Sequence, residues 1–258
     1  NTIRIPHETA SIAETLRLNG YNTAAFGKWH QTPPWETSTS GPFDLWPTGQ
    51  GFEKFYGFIG FSTNHWSPAI IDGTNRIQPP KTPGYNFMTD MADQAVNWIG
   101  FQQTMTPDRP FFLYFSPGAV RAPHQPPEEW SQRWKGAFDE GWDVMREQSL
   151  ARQIALGLVP QGTKLAPRPD PIPAWDSLTA DEKRLYARQA EVHAGFLEYT
   201  DHEIGRVIEA VRATGELDNT LVIYIQGDNG ASAEGGMQGL LNEMTVFNAI
   251  PEDMKEVI

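Results

Sequence analysis

Lys28 and His30 are separated by one residue in the segment GKWH, which follows a short apolar run, TAAF, at positions 23–26. The apolar run predicts a strand, and side chains two residues apart on extended backbone point to the same side. A lysine ammonium and a histidine imidazole that face one spot would favour an anion there. The pattern therefore predicts a local anion site, with a solvated strand end as the alternative interpretation.

Two further polar clusters follow strand-like runs. FFLYF at 111–115 leads into SPGAVRAPH, which ends at His124, and LVIYIQ at 221–226 leads into GDNG, which contains Asp228 and Asn229. Carboxylate and amide oxygens suit a hard divalent cation, although calcium takes about six to eight oxygen ligands and this pair supplies too few. The alternatives are a loop histidine held between prolines and a common Asp-Asn-Gly turn.

Helical patterns separate the three strands and position them. The segments 8–18, 86–103 and 143–156 show helical patterns, and TADE at 179–182 matches a capping box that opens a helix running to about residue 213. Strands separated by helices predict an α/β fold with a mostly parallel sheet, in which ligands bind at the carboxyl ends of the strands. We therefore expect the three polar clusters to meet at one edge.

The rest of the chain is rich in proline, glycine and aromatic residues. Residues 31–87 predict a long loop region with short strands, and the proline cluster APRPDPIPAW at 166–175 favours a surface strap over a domain linker. Six aromatic residues in the first loop region favour a core over a stacking platform. These are Trp46, Phe52, Phe55, Tyr56, Phe58 and Phe61.

Composition excludes several classes of function. A formal charge of −12 over 258 residues opposes non-specific binding to nucleic acid or anionic lipid, so any anion site must be local. The absence of cysteine excludes disulfides, thiolate metal sites and a cysteine nucleophile within these residues. No apolar stretch reaches the roughly 18 residues that cross a bilayer, so no membrane segment is predicted. The compartment and the oligomeric state stay open.

In the order in which these motifs follow one another, the sequence resembles the sulfatase family of the alkaline phosphatase superfamily. The resemblance is strongest to bacterial arylsulfatases. The resemblance rests on GKWH, on PHQPP after FFLYFSPGAVRA, and on YIQGDNGAS, and it extends through most of the chain, including GPFDLWPTGQGFEKFYGF and the segment from IPAWDSLTADEKRLYARQ onward. It implies an alkaline phosphatase-like fold with a central sheet flanked by helices. It also implies hydrolysis of a small-molecule or glycan sulfate ester.

The resemblance assigns roles to individual residues. Lys28 and His30 match residues that contact the sulfate and a formylglycine nucleophile, and His124 matches a histidine that contacts the sulfate and helps protonate the leaving alcohol. Asp228 and Asn229 match the later half of a calcium site, with magnesium as the alternative metal. The family's C/S-x-P-x-R nucleophile motif is absent here. We therefore expect residues 1–258 to be an internal part of a sulfatase catalytic domain, cut at both ends and unable to complete catalysis alone.

Other histidines have alternative interpretations. His65 could line a substrate pocket, but an ordered aromatic loop is the favoured interpretation. His193, Asp201 and His202 on the long helix favour packing and surface charge over a second metal site. Two further functions stay open: a phosphate or phosphonate monoester hydrolase of the same superfamily, and a non-catalytic sulfatase-like binding protein.

Overall fold

The computed structural model describes residues 5–227, 235–242, 244–245 and 248–253. Within these ranges the strands are Asn22–Trp29 (β1), Lys54–Ile59 (β2), Ile70–Asp72 (β3), Asn75–Ile77 (β4) and Phe111–Ser116 (β5). The α-helices are Ile12–Leu18 (α1), Phe87–Met105 (α2), Glu128–Gln132 (α3), Gly141–Ala155 (α4) and Ala180–Ala213 (α5). The helices predicted at 8–18, 86–103, 143–156 and from 180 to 213 are all present, with small shifts at their ends.

The chain forms two compact units. The first contains Asn1–Pro127 and Leu197–Ala231, and the second contains Glu128–Phe196 and Ser232–Ile258. Helix α5 begins in the second unit and ends in the first. All five strands belong to the first unit.

The sheet of the first unit has the strand order β4-β3-β2-β1-β5. β1 pairs in parallel with both β2 and β5, whereas β3 and β4 form an antiparallel hairpin beside β2. The carboxyl ends of β1, β2 and β5 therefore lie at the same edge, as was predicted for β1 and β5. The α/β class with a mostly parallel sheet is confirmed.

The two faces of the sheet pack against different partners. On one face, Ala25, Trp29 and Phe55 join a cluster with Ala13 of α1 and the buried Trp46. On the other face lies α2, whose buried side is formed by Phe87, Met88, Met91, Ala92, Ala95 and Ile99. Successive side chains of an extended strand point to opposite faces of the sheet, so neighbouring residues of β1 pack on opposite faces. The sheet is thus fixed on both faces, which makes its carboxyl edge a rigid base for the loops.

In the second unit, the proline-rich segment is a strap on α4. Arg168 forms an ion pair with Asp143 at 2.8 Å, and the indole of Trp142 donates to the carbonyl of Pro173 at 3.1 Å. The capping box also forms, because the backbone N–H and hydroxyl of Thr179 both donate to the carboxylate of Glu182 at 2.8 Å.

The predicted third strand is not formed, and this prediction was wrong. Residues 221–227 belong to no strand, and Leu221 and Ile225 are 85% and 87% exposed. A strand exists only where its backbone groups pair with a neighbour. Within the described residues β5 pairs only with β1 and forms the edge of the sheet, so strand-forming side chains alone did not produce a strand here.

Membrane-spanning character is absent from the helices that the structure describes, none of which combines sufficient length with sufficient hydropathy.

Candidate active site

The end of β1 presents Lys28 and His30 on either side of a buried anchor. Between them, Trp29 packs in the aromatic cluster and its indole N–H donates to the carbonyl of Leu45 at 3.0 Å. Because Trp29 is fixed in the core, its two neighbours project away from that core. Lys28 is half-buried and His30 is exposed.

One aromatic ring, that of Phe61, gathers three cationic or protonatable side chains. The Nζ of Lys28 lies 5.6 Å from the centre of the ring, and the His30 ring lies edge-on with a centroid distance of 5.7 Å. The guanidinium carbon of Arg121 lies over the same ring at 3.6 Å. We call these four residues the Phe61 cluster. They come from the carboxyl end of β1, the segment after β2 and the loop after β5.

Phe61 differs from the other five aromatic residues of its loop region. Trp46, Phe52, Phe55, Tyr56 and Phe58 are buried in the core, as predicted, whereas Phe61 is 38% exposed. The core prediction was therefore wrong for Phe61. A ring at the open end of the sheet can offer its negative π face to cations, which a core ring cannot.

Cations dominate the electrostatics of the cluster. The pKa of Lys28 is lowered by burial and then by the charge of Arg121. The pKa of His30 is lowered by burial, then by Lys28 and Arg121. Like charges held close together disfavour each other's charged form, and a bound anion reverses this by favouring it. In a chain of net charge −12, this cluster is a local concentration of cationic and protonatable groups.

The loop after β5 also carries His124, which lies beside His65. Their mutual charge contributes, after burial, to lowering the pKa of His65 to about 4. His65 is 1% exposed, and its backbone N–H donates to the side chain of Gln125 at 2.8 Å. The Asn86 side chain donates to the Gln125 carbonyl at 2.9 Å, which joins this loop to the start of α2. This placement favours the ordered-loop interpretation of His65, which would act by positioning its neighbour.

The structure thus brings Lys28, His30 and Arg121 together at the Phe61 ring, and His124 lies on the same loop as Arg121. Arg121 of the Phe61 cluster precedes His124 by three residues, so their Cα atoms are at most about 11 Å apart. Asp228 and Asn229 lie outside the described residues. His124 itself is half-buried, on the same loop that carries Arg121.

A metal site is not formed by the residues that the structure describes, among which no three His, Asp or Glu side chains are grouped to hold an ion. The Phe61 cluster supplies cationic donors, and these repel a metal ion. The cluster itself is thus not a set of metal ligands, and the calcium site at Asp228 and Asn229, which lie outside the described residues, stays a prediction.

Arg121 and the exposed ring of Phe61 are site residues that the sequence interpretation missed. A signal for Arg121 was present, because it lies in the same loop after β5 that singled out His124. No comparable signal marked Phe61. Its neighbours Phe55 and Phe58 are both buried in the core, so the same was expected of Phe61.

A separate cavity of about 520 Å³ lies in the second unit, between α4, the strap and the first turns of α5. Trp142, Trp175 and Tyr186 form its aromatic wall, with Trp142 and Trp175 edge to face at 4.8 Å. None of the predicted site residues lines it.

The fold is of the α/β class, with cationic and protonatable side chains gathered at the carboxyl edge of its sheet. The family model described as Sulfatase matches residues 1–255, and the chain belongs to the sulfatase family. It is 33% identical over 257 residues to an uncharacterized sulfatase of Schizosaccharomyces pombe, covering 94% of this chain and 42% of that protein. It is 29% identical over 247 residues to an arylsulfatase of Klebsiella aerogenes, covering 91% and 50%. The chain thus spans half or less of the length of these relatives.

Solved structures show the same fold at low identity. The yidJ protein of Bacteroides fragilis aligns with a TM-score of 0.56 and 19% identity, covering 84% of this chain and 43% of that one. Ps i-CgsB, crystallised with k-i-k-neocarrahexaose, aligns with a TM-score of 0.54 and 16% identity, covering 85% and 40%. The alkaline phosphatase-like fold expected from the sequence is confirmed.

Proposed function

We propose that the protein hydrolyses sulfate esters and that the Phe61 cluster binds the sulfate group. The observation that carries this proposal is the meeting of Lys28, His30 and Arg121 at one ring, at the carboxyl edge of a parallel sheet. Such an edge is where α/β proteins bind ligands. Membership of the sulfatase family supports a sulfate ester as the anion.

Lys28 and His30 would stabilise the charge that develops on the sulfuryl oxygens during attack. Preorganised donors are most effective where water is partly excluded, because electrostatic interactions are then weakly screened. Burial is the largest cause of the lowered pKa of the half-buried Lys28, which supports a partly dehydrated environment around its ammonium. Sulfate binding would raise both pKa values and hold both side chains in their charged form.

His124 would donate a proton to the leaving alcohol. A general acid must lie within hydrogen-bond reach of the leaving oxygen, so its orientation matters as much as its pKa. His65 and Gln125 fix the loop on which His124 lies, through the Gln125 contacts to the His65 backbone and to Asn86. We therefore assign His65 a positioning role.

The proposed reaction also needs a nucleophile and a metal ion, and the residues that supply them lie outside the described part of the chain. We infer a formylglycine nucleophile elsewhere in the protein, since no C/S-x-P-x-R motif occurs in these 258 residues. A calcium ion, or magnesium in its place, held in part by Asp228 and Asn229, would polarise a sulfate oxygen and hold the nucleophile. The described residues would supply binding, orientation and proton transfer.

Two classes of substrate are supported by the relatives. An arylsulfatase of Klebsiella aerogenes supports an aryl sulfate, and the complex of Ps i-CgsB with an oligosaccharide supports a glycan ester. We propose arylsulfatase-type activity, with a small-molecule or glycan sulfate ester as the natural substrate.

The test compares 4-nitrophenyl sulfate with 4-nitrophenyl phosphate as substrates of the full-length protein. We expect faster hydrolysis of the sulfate, and loss of about 100-fold or more of that rate in Lys28→Ala, which removes a transition-state contact. Lys135→Ala, at an exposed position of the second unit, is the matched control and should keep the wild-type rate. Preference for the phosphate would contradict the proposal, and hydrolysis of neither ester would contradict the arylsulfatase type.

A further inference from the structure

A pocket of about 430 Å³ lies in the first unit, between the segment after β2 and the segment after β4. One wall is formed by Trp66 and Ser67, and the other runs from Gln78 to Tyr85. Its volume is within the range of sites that bind small organic ligands. No residue of the Phe61 cluster lines this pocket, so it is separate from the proposed sulfate site.

The topology of the sheet places this pocket at the same edge as the Phe61 cluster. β3 is antiparallel to β2 and β4 is antiparallel to β3, so β4 runs in the direction of β2. Trp66 follows the carboxyl end of β2 and Gln78 follows that of β4, so both walls start from the carboxyl edge. In the strand order β4-β3-β2-β1-β5, β4 is three strand spacings, about 14 Å, from β1, which carries Lys28. A ligand of more than one ring can bridge that distance.

Hydrogen bonds also join both walls to the loop after β5. The Gln125 side chain of that loop accepts from the backbone N–H of His65 at 2.8 Å, and Trp66 is the next residue along the chain. The Asn86 side chain donates to the Gln125 carbonyl at 2.9 Å, and Tyr85 is the residue before Asn86. Each wall is therefore one residue away from a direct contact with this loop, which carries proposed catalytic residues.

The two aromatic residues of the pocket are held in place by their neighbours. The Asn64 side chain accepts from the backbone N–H groups of Trp66 and Ser67 at 2.9 and 2.8 Å. The Tyr85 hydroxyl donates to the carboxylate of Asp90 at 2.7 Å. Trp66 is nevertheless 42% exposed, so it stays accessible to a ligand on a fixed backbone. Preorganisation of this kind lowers the entropy that is lost on binding.

The mixture of side chains in the pocket suits a sugar ring. The rings of Trp66 and Tyr85 offer broad apolar faces, which match the C–H face of a pyranose. Ser67, Gln78 and Lys81 offer a hydroxyl, an amide and an ammonium group, which can hydrogen-bond to sugar hydroxyls. A wholly apolar ligand would remove these polar groups from water without pairing them, which is unfavourable.

We propose that this pocket binds a sugar residue of a glycan whose scissile sulfate lies at the Phe61 cluster, with the sugar ring stacked on Trp66. This inference rests on the proposed sulfatase function. It narrows the natural substrate to a sulfated glycan of two or more sugar residues.

The test uses the full-length protein with sulfated tetrasaccharides from chondroitin sulfate, heparin and carrageenan, the sulfated monosaccharide of each, and 4-nitrophenyl sulfate. We expect kcat/KM for at least one tetrasaccharide to exceed that for its monosaccharide by about 10-fold or more. Trp66→Ala should remove this advantage mainly by raising KM, because the lost contact is remote from the reacting bond. Its kcat/KM for 4-nitrophenyl sulfate should fall by less than about 3-fold. Trp66→Phe keeps an aromatic face and should retain most of the advantage.

Phe101→Ala is the matched control, because Phe101 is also an exposed aromatic residue of the first unit. It lies about 21 Å along α2 from Phe87, whose backbone N–H donates to the His65 carbonyl. This variant should keep every wild-type rate. A tetrasaccharide advantage that is absent from the wild type, or that persists in Trp66→Ala, would overturn the sugar site, while hydrolysis of any of the esters would leave the sulfatase function intact. A wild-type protein that hydrolyses none of the esters would overturn the proposed function, and this inference with it.

Discussion

Gly27 of β1 and Gly57 of β2 are partners in the parallel register, and a side chain at Gly57 would overlap the carbonyl oxygen of Gly27. On the other side of β1, Gly27 is the partner of Ser116 in β5. A side chain at Gly27 would overlap the Ser116 carbonyl and approach the Met91 sulfur of α2 at 2.7 Å. The absence of side chains here lets three strands and a helix meet directly before Lys28.

We predict that Gly27→Ala destabilises the protein far more than Gly20→Ala. Both glycines have positive φ, +108° and +91°, but the space around Gly20 is open. Gly20→Ala should cost about 1–2 kcal/mol for the left-handed backbone alone. Gly27→Ala adds steric overlap with backbone that cannot move cheaply, so its cost should exceed about 3 kcal/mol. Urea unfolding of both variants measures the difference, and equal losses would contradict the packing explanation.

The second prediction concerns stability at low pH. The pKa of His65 falls from 6.5 to about 4 on folding, so the unfolded chain binds its proton more readily than the folded chain. The stabilisation is therefore fully present above about pH 6.5 and is lost as the pH falls toward 4, by about 3 kcal/mol in total. Urea unfolding between pH 4 and 7.5 measures this slope.

His65→Gln tests the origin of that slope, because glutamine keeps a polar side chain but does not titrate. We expect a flatter dependence of the unfolding free energy on pH in this variant. His202→Gln, at an exposed position on α5, is the control and should keep the wild-type slope. A full slope in His65→Gln would assign the pH dependence to another group.

The sequence predicted those parts of the fold that local patterns determine. The spacing of residues along the chain predicts the apolar face of α2 and the Thr179–Glu182 capping box, and both form as expected. The end of β1 was also predictable, since an apolar run followed by Lys28 and His30 marks a strand that leads into a polar edge. These features depend on neighbours within a few residues.

Features that depend on distant partners were not predictable. Residues 221–225 have strand-forming side chains, but pairing decides whether a strand forms, and a single sequence does not show the partner. The ring of Phe61 likewise packs against Arg121, which lies 60 residues further along the chain, after β5. Long-range packing of this kind overrides local alternation.

The third prediction is that inorganic sulfate inhibits the enzyme less strongly as the pH rises. The pKa of His30 is lowered in the free site by burial, Lys28 and Arg121, and a bound anion raises it. Sulfate binding is thus coupled to proton uptake by His30. Binding weakens as the pH rises past the pKa of His30 in the sulfate-bound protein. We expect the inhibition constant to increase by up to about tenfold per pH unit in that range. His30→Gln should remove this step, and a step that persists in His30→Gln would show that another group takes up the proton.

The last prediction concerns the strap of the second unit. Asp143 accepts from Arg168 at 2.8 Å and from the backbone N–H of Trp175 at 2.9 Å, so one carboxylate holds both ends of residues 168–175 on α4. These contacts, first the Trp175 N–H and then Arg168, lower the pKa of Asp143. Asp143→Ala should release the strap, because both partners lose their acceptor at once.

Limited trypsin digestion measures that release through cleavage after Lys164, an exposed residue just before the strap. We expect cleavage at Lys164 to be severalfold faster in Asp143→Ala than in the wild type. Asp170→Ala, which removes an exposed carboxylate from the strap itself, should leave the rate unchanged. Equal cleavage rates in Asp143→Ala and the wild type would mean that the remaining contacts, from Trp142 to the Pro173 carbonyl and from Arg146 to the Ala166 carbonyl, hold the strap.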